Sequence, residues 1–432
     1  MTQFKTVRGM RDFLSEDAET MRYVEETARQ VSRLYGYKET ITPVVEPYEL
    51  LAAKAGEEVR SRMFTFNDLG NRKVALRPEF TASLARVVAT KLRNEPRPFR
   101  LFAVGSIYRY DEPQRGRYRE FWQSDYELMG SDRPEADAEI LMLTDSLMRQ
   151  AGLERYAFKI GHVDIMRGIF NQEKLNEKVQ DEIMQLMDKK QYDDAFKTVE
   201  KAGVSEKCQK VLHQLVATSG KDAKKVIGEI RKYARDYGSA VEAAGNLEDI
   251  ARIICESGAG IDLTIEAGFE RGLEYYTGMI FEVYIPDLDI ALGGGGRYDR
   301  LIELFGGDPT PAVGVAHGLD RMMLGLQEQK ADSGQQTAAS ITVVPIGDNM
   351  RSQALKISSI LRAAGISVET EVLGRRIAKA LEDANRRKIR YIILVGENEM
   401  KQEMAVVRDL LKREQKTVTV DAMVDMIRKT EQ

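Results

Sequence analysis

Two cysteines in 432 residues are too few for a disulfide framework or a zinc cluster, so Cys208 and Cys255 read as ordinary thiols. The three histidines, His162, His213 and His317, stand far apart without metal-ligand spacing, and no metal site is expected from them. No GxSxG elbow and no GxxxxGK[ST] phosphate loop occurs. The run LGGGGRYD at 292–299 has the glycines of a phosphate cradle but no lysine–serine pair after it. Covalent, zinc and P-loop chemistries all lose ground. Long apolar runs are missing too: YIILV at 391–395 is strand-sized, far short of the ~20 residues that cross a bilayer. The first residues, MTQFKTVRGMRDF, carry charge from the start and lack the apolar core of a secretory signal. These absences lead to the expectation of a cytoplasmic protein with no membrane partner.

What is present is an ordinary globular composition, 43% apolar and 31% charged. Its length predicts two or three domains, because single cores rarely grow past ~250–300 residues. The net charge of −4 is unevenly spread, with 17 Lys/Arg against 13 Asp/Glu from Ser340 to Gln432. A basic end on an acidic body suits a polyanion partner, although a solvated helix face produces the same pattern.

Helical spacing marks 16–35 through Met21, Val24, Ala28, Val31 and Leu34. ETITPVVEP reads as a strand interrupted by Pro43, which points to an edge or an interface. Strands at 99–109 and 119–130 flank DEPQRGR as a long antiparallel hairpin. Charged helical patterns dominate 171–255, a helical insertion into a mixed sheet domain. Strands return at 262–268, 279–285 and 289–293, followed by a helix at 297–305, and GVAHGLDRMMLGL reads as the domain's last helix. QEQKADSGQQTAA, 327–339, has no large apolar residue and reads as a linker. Beyond it strand and helix alternate, predicting a small α/β domain with a mostly parallel sheet. Its helix 375–388 turns Ile377, Leu381 and Ala384 inward and leaves Arg375, Lys379, Arg386 and Arg387 outside. The expected divisions are therefore 1–170, the insertion 171–255, 256–326, the linker 327–339, and 340–432. The fold class is an α+β domain on an antiparallel sheet, with the insertion, plus the small α/β domain.

Four patches carry chemistry. RGLEYYTG, 271–278, sets a guanidinium and two phenols at the entrance of the strand MIFEVY. Arg matches carboxylates and phosphates, and phenols both donate and accept, which suits a small ligand with an anionic end and a polar head. A surface hairpin whose tyrosines pack sideways accounts for these eight residues equally well. In the hairpin, period-two register points Arg117, Arg119, Phe121, Gln123, Asp125 and Glu127 toward one face. Such a face suits a nucleotide better than a dry core, since buried polar groups need partners; a solvated outer face is the alternative. LRPEFTASLAR, 76–86, opens a helix with Pro78 and Glu79 in favoured places. VGVAHGLDRMML, 313–324, brings two glycines and Arg321 together.

In this order, over essentially the whole length, the patches resemble class II aminoacyl-tRNA synthetases, and among them the histidyl-tRNA synthetase family. Motif 1 matches the helix and strand ending at Pro43, motif 2 matches YRYDEPQRGRYREFWQ, and motif 3 matches GVAHGLDR. RGLEYYTG and GGGGRYDRL match the two histidine signatures, and LVGENEM at 394–400 is similar to the family's anticodon-binding domain. The resemblance implies catalytic roles for Arg109 and Arg271. Arg109 would hold the ATP α-phosphate and the histidine carboxylate, and Arg271 would act as an additional electrophile. It implies that Arg321 binds the γ-phosphate, Arg117 the phosphate tail, and Phe121 stacks on adenine. Glu79, Thr81 and Gln123 would take the α-amino group of histidine. Glu127 and Tyr276 would bond the imidazole nitrogens, with Tyr275 lining the same pocket. Glu127 is expected to be held ionised by nearby arginines.

The implied activity is histidine–tRNA ligase. Its implied partners are ATP with Mg2+, L-histidine, tRNA(His), and a second copy of the chain in a homodimer. Motif 2 departs from the usual Arg-x-Glu, since Arg109 is followed by Tyr110, Asp111 and Glu112, and Glu274 stands where Asp is common. Two rivals are a histidine-binding regulatory subunit of an ATP phosphoribosyltransferase and a non-catalytic RNA-sensing module. Residues 340–432 argue against the first. The retained Arg109, Arg271 and Arg321 argue against the second.

Overall fold

The computed structural model describes residues 4–53, 56–271, 275–288, 290–331 and 341–431. The chain divides into two compact units, Met1–Gly334 and Gln335–Gln432. In the first, the strands are β1 Lys38–Glu39, β2 Val45–Pro47, β3 Thr65–Asn67, β4 Lys73–Leu76, β5 Phe99–Tyr108 and β6 Glu120–Met129. They continue with β7 Ala157–His162, β8 Ser219–Gly220, β9 Leu263–Glu266, β10 Met279–Ile285, β11 Ile290–Arg297 and β12 Ala312–Gly318. Nine of them form one sheet in the order β1-β5-β6-β12-β11-β10-β7-β9-β8. Its centre is antiparallel, with parallel pairs at β1/β5 and β7/β9. β2, β4 and β3 make a small separate sheet.

The helix Ser15–Leu34 buries Met21, Val24, Ala28 and Val31, while Leu34 at its end is exposed. Behind the sheet, the helix Pro134–Gln150 contributes Ile140, Leu141 and Leu147 to the core. The helices between Glu177 and Glu256 do not form a core of their own. Ile183, Leu212, Ile230 and Leu247 belong to the same apolar cluster as Phe102, Phe158 and Phe281. The insertion is thus welded to the sheet domain, and β8 even joins the sheet's edge.

Several local expectations change. ETITPVVEP is two short strands in two sheets, because Pro43 lies between a parallel partner for Lys38–Glu39 and an antiparallel one for Val45–Pro47. GVAHG is the buried strand β12, and the helix begins only at Leu319. The glycine run is part of β11, and the helix expected at 297–305 shrinks to Leu301–Leu304. The helix Leu319–Gln329 runs into the expected linker, since Gln and Glu are good helix formers and Leu326 still packs inward. Residues 332–340, most of that linker, lie outside the described residues, as does Glu274.

The second unit holds β13 Ile341–Pro345, β14 Val368–Thr370, β15 Tyr391–Val395, β16 Met404–Asp409 and β17 Glu414–Thr419. β14, β13 and β15 are parallel, and β16 and β17 extend them as an antiparallel hairpin. The helices Arg351–Ala363 and Val420–Glu431 cover one apolar cluster, and Ile377–Arg386 covers another. The outward arginines are engaged: Asp383 pairs with Arg375, Arg386 and Arg387.

Candidate active site

The first unit contains a cleft of about 370 Å³ that opens across the sheet's antiparallel centre. Strand β6 supplies Phe121, Gln123 and Glu127 from alternate positions, because successive side chains of a strand point to opposite faces. Glu79 and Thr81 reach it from the start of the helix Thr81–Thr90, and Arg109 from just past the end of β5. Arg271, Tyr275 and Tyr276 come from the segment leading into β10, Arg117 from the hairpin loop, and Arg321 from the first turn of the helix after β12. Every residue that the resemblance assigned to histidine or ATP lines this cavity.

The period-two pattern does not extend to all six hairpin residues. β6 starts at Glu120, and Arg117 lies in a turn bridged to Gln114. Arg119 is buried away from the wall, donating from Nε to the Asp111 carbonyl at 3.1 Å and lying 3.6 Å over the Tyr110 ring. Asp125 is fully buried behind the pocket, and its Oδ2 accepts from the Phe80 amide at 3.4 Å. Asp111 lines the cleft and pairs with Arg62 at 3.1 Å, whereas Glu112 lies outside, paired with Arg8 at 2.8 Å.

One end of the cleft is cationic. Arg109 donates from Nε to the Pro78 carbonyl at 2.8 Å, and its guanidinium lies 5.6 Å from the Phe121 ring centre. Arg321 is held by the carbonyls of Ala291 at 2.9 Å and Gly116 at 3.3 Å. Burial lowers the Arg321 pKa, and repulsion from Arg117 and Arg109 lowers it further. Arg271 donates to the Phe281 carbonyl at 3.2 Å and sits 3.5 Å from Glu282, which Lys159 also meets at 3.1 Å. Several guanidinium groups crowded at one wall make a site prepared for an anion.

The other end is a buried polar pocket. Thr81 Oγ1 donates to Glu127 Oε1 at 2.7 Å, and the Tyr298 hydroxyl donates to Oε2. Burial pushes the Glu127 carboxyl up to about 8, with those two donors opposing it. The expected arginine partners of Glu127 are therefore corrected: its ionised form is supported by neutral hydroxyls. Burial also pushes the Tyr276 phenol up to about 12 and raises Glu79, whose carboxylate lies 3.5 Å from the Tyr275 hydroxyl. Gln123 Oε1 is buried with no hydrogen-bond partner among the described residues. An idle acceptor in the cleft that Glu79 also lines suits a ligand that brings N–H donors.

Sequence reasoning missed Tyr298, Glu282 and the purpose of the glycine run at 293–296, whereas the glycines of VGVAHG already pointed to a close approach. Tyr298 follows the glycine strand within a matched signature, and that signal was available. The glycines make room. A Cβ on Gly294 would stand 1.9 Å from an Arg271 guanidinium nitrogen, and one on Gly314 would stand 1.6 Å from Glu127 Oε2. The bare surfaces of β11 and β12 leave room for both side chains in the cleft.

A family model described as histidyl-tRNA synthetase matches residues 9–322, and one described as an anticodon binding domain matches 340–430. A protein of Methanocaldococcus jannaschii named histidine–tRNA ligase is 37% identical over 98% of this chain and all of its own length. Among solved structures, apo histidyl-tRNA synthetase of S. aureus is similar with a TM-score of 0.70 and 26% identity, covering 98% of this chain and 99% of that one. A Bacillus halodurans chain titled ATP phosphoribosyltransferase regulatory subunit/histidyl-tRNA synthetase is similar at a TM-score of 0.79 and 25% identity, covering 92% of this chain and all of its own.

Proposed function

As this chain belongs to the histidyl-tRNA synthetase family, we propose that it activates histidine with ATP and passes the histidyl group to the 3′ end of tRNA(His). The observation that carries this reading is the polarity of the cleft, cationic at Arg109, Arg117, Arg271 and Arg321 and polar and buried at Glu127 and Tyr276. A histidine carboxylate oxygen attacks the α-phosphorus, the bond to the β-phosphate breaks, and pyrophosphate leaves with the electron pair. Negative charge grows on the nonbridging oxygens, where Arg109 and Arg271 stabilise it without reorganisation. A ribose hydroxyl of tRNA then attacks the acyl carbon and AMP departs. Both reactants are held in place, so no protein nucleophile is needed.

At the far end, Glu127 accepts an imidazole N–H and the Tyr276 hydroxyl donates to the other ring nitrogen. Any amino acid without that pair of groups leaves buried polar atoms unsatisfied, a discrimination that reaches ~10⁴-fold. The α-ammonium group supplies the donors that Gln123 and Glu79 accept. Arg321 and Arg117 take the β- and γ-phosphates, and Phe121 stacks on the base. Mg2+ arrives with ATP, and its oxygen ligands can come from phosphates and water. The basic second unit supports tRNA as the polyanion, and residues 340–432 are assigned to its anticodon. Exposed Ile41, Val44 and Val45 beside Pro43 support a second copy of the chain packing there. No described helix is long and apolar enough to cross a membrane, in keeping with a cytoplasmic site of action.

Histidine-dependent exchange of pyrophosphate into ATP tests the reading. Purified protein should catalyse it, and Arg271→Ala should abolish it with the fold intact. No exchange by the unaltered protein would sink the proposal.

A further inference from the structure

The segment before the first helix touches none of the reacting groups, yet it lies against the back of the hairpin loop. The Gly9 carbonyl accepts the Arg119 amide at 2.8 Å, and Gly9, at φ +83°, comes so close that a Cβ would stand 2.7 Å from Arg119 Cγ. Two residues on, the Arg11 guanidinium lies 3.6 Å from the centre of the Tyr118 ring and 4.4 Å from that of Phe13. Phe13 in turn meets Trp122 edge-on, with ring centres 5.4 Å apart. Arg11 also forms an ion pair with Asp320, whose side chain is 2% exposed. The second oxygen of Asp320 accepts the Trp122 amide at 2.6 Å.

Arg11 does not line the catalytic cleft. It lines a second cavity of about 220 Å³, and the two cavities share Gly116, Tyr118 and Asp320 as a common wall. On the cleft side of that wall stand Arg117, next to Tyr118, and Arg321, next to Asp320. These two cations repel each other and Arg109, so something other than mutual attraction must keep them together. Arg11 meets the requirement from behind, because one planar cation stacks on the loop aromatic and pairs with the buried carboxylate at the helix start.

We propose that Arg11 is a positioning residue for the nucleotide, tying the Tyr118 loop to Asp320 so that Arg117 and Arg321 are held at the separation a triphosphate needs. This rests on the ligase reading of the cleft. It assigns the N-terminal segment to ATP and not to histidine, since the partners of Arg11 are Phe13, Tyr118 and Asp320, and none of them belongs to the Glu127 pocket. An arginine is required: lysine keeps the charge but lacks the planar fork that stacks and pairs at once.

Calorimetric titration of the full chain with ATP and, separately, with histidine tests the assignment in R11A and R11K. R11A should bind ATP about tenfold or more weakly, as misplacement of positioning groups does, with histidine affinity unchanged. R11K should fall between R11A and the unaltered protein, and it serves as the readout if R11A does not fold. Adding D320N to R11A should recover thermal stability by removing an unpaired buried charge, without restoring ATP affinity. ATP affinity equal to that of the unaltered protein in both arginine variants overturns the proposal. So does a parallel loss of ATP and histidine affinity, which marks a general structural role. Because these are binding measurements, they test Arg11 even if pyrophosphate exchange fails and the ligase reading falls.

Discussion

Glu127 is asked to be buried and to be an acceptor, two demands that conflict. Burial holds its carboxyl at about 8 in the folded protein, whereas the unfolded chain ionises it near the ordinary value of about 4.3. Between those values the folded state keeps a proton that the unfolded state has lost, so rising pH favours unfolding. The penalty is absent below about 4.3, grows toward 8 and is constant above. Glu127→Gln should therefore lose less thermal stability than the unaltered protein between about pH 5 and pH 8; equal slopes in melting experiments would refute the account. The same variant should lose selection for histidine, because an amide cannot supply the charged acceptor. Glu127 was legible in the sequence through the alternation of Phe121, Gln123 and Glu127. What surrounds it was not. Its donor Tyr298 lies 171 positions away, and only tertiary structure brings such a partner within a bond length. The expectation of arginine partners failed for that reason: proximity along the chain to Arg117 and Arg119 does not survive the start of the strand.

Strand β11 shows how an element can be specified by what it omits. Glycine is a poor strand former, and a run of four reads as a loop unless close approach demands it. The demand comes from both sides of the strand. A Cβ on Gly294 meets the Arg271 side chain at 1.9 Å, while one on Gly295 meets the Gly314 backbone carbonyl at 2.0 Å. The two alanine substitutions should differ accordingly. Gly294→Ala should displace a movable side chain and abolish most exchange activity with a modest loss of melting temperature. Gly295→Ala should force two strands apart and destabilise by about 1–3 kcal/mol or more, as overpacking does. Similar melting temperatures for the two would contradict this division. β12 was mistaken for a helix from its sequence because GVAHG leads without a break into an apolar run at helical spacing; the strand is apparent only from its pairing with β6 and β11.

At the scale of the chain, the long helices, the central hairpin and the second unit's alternation of strand and helix were all legible from periodicity. The hairpin β16–β17 and the closing helix were not assigned, since Glu414–Thr419 is almost wholly exposed and offers no apolar alternation. Each unit has its own apolar clusters, so a chain ending at Gly334 should fold and retain histidine-dependent exchange. Its tRNA charging should drop by ~10²-fold or more, the loss expected when one of two linked binding modules is removed; exchange lost together with charging would argue against two separable tasks. Ile41 is 92% exposed beside Pro43. Ile41→Asp should convert the proposed dimer to a monomer in light scattering, and a mass unchanged by the substitution would overturn this placement of the partner surface.

The close-packed glycines of β11 and β12 also limit what inheritance can do with this site. Every single-base change in a glycine codon that alters the residue installs Ser, Arg, Cys, Trp, Asp, Glu, Ala or Val, or ends the chain, and each of those residues carries a Cβ. Gly294 and Gly314 therefore have no mild neighbours in the genetic code. Drift at these codons is confined to the silent third base, so the floor beneath Arg271 and Glu127 offers no gradual path toward a different amino acid.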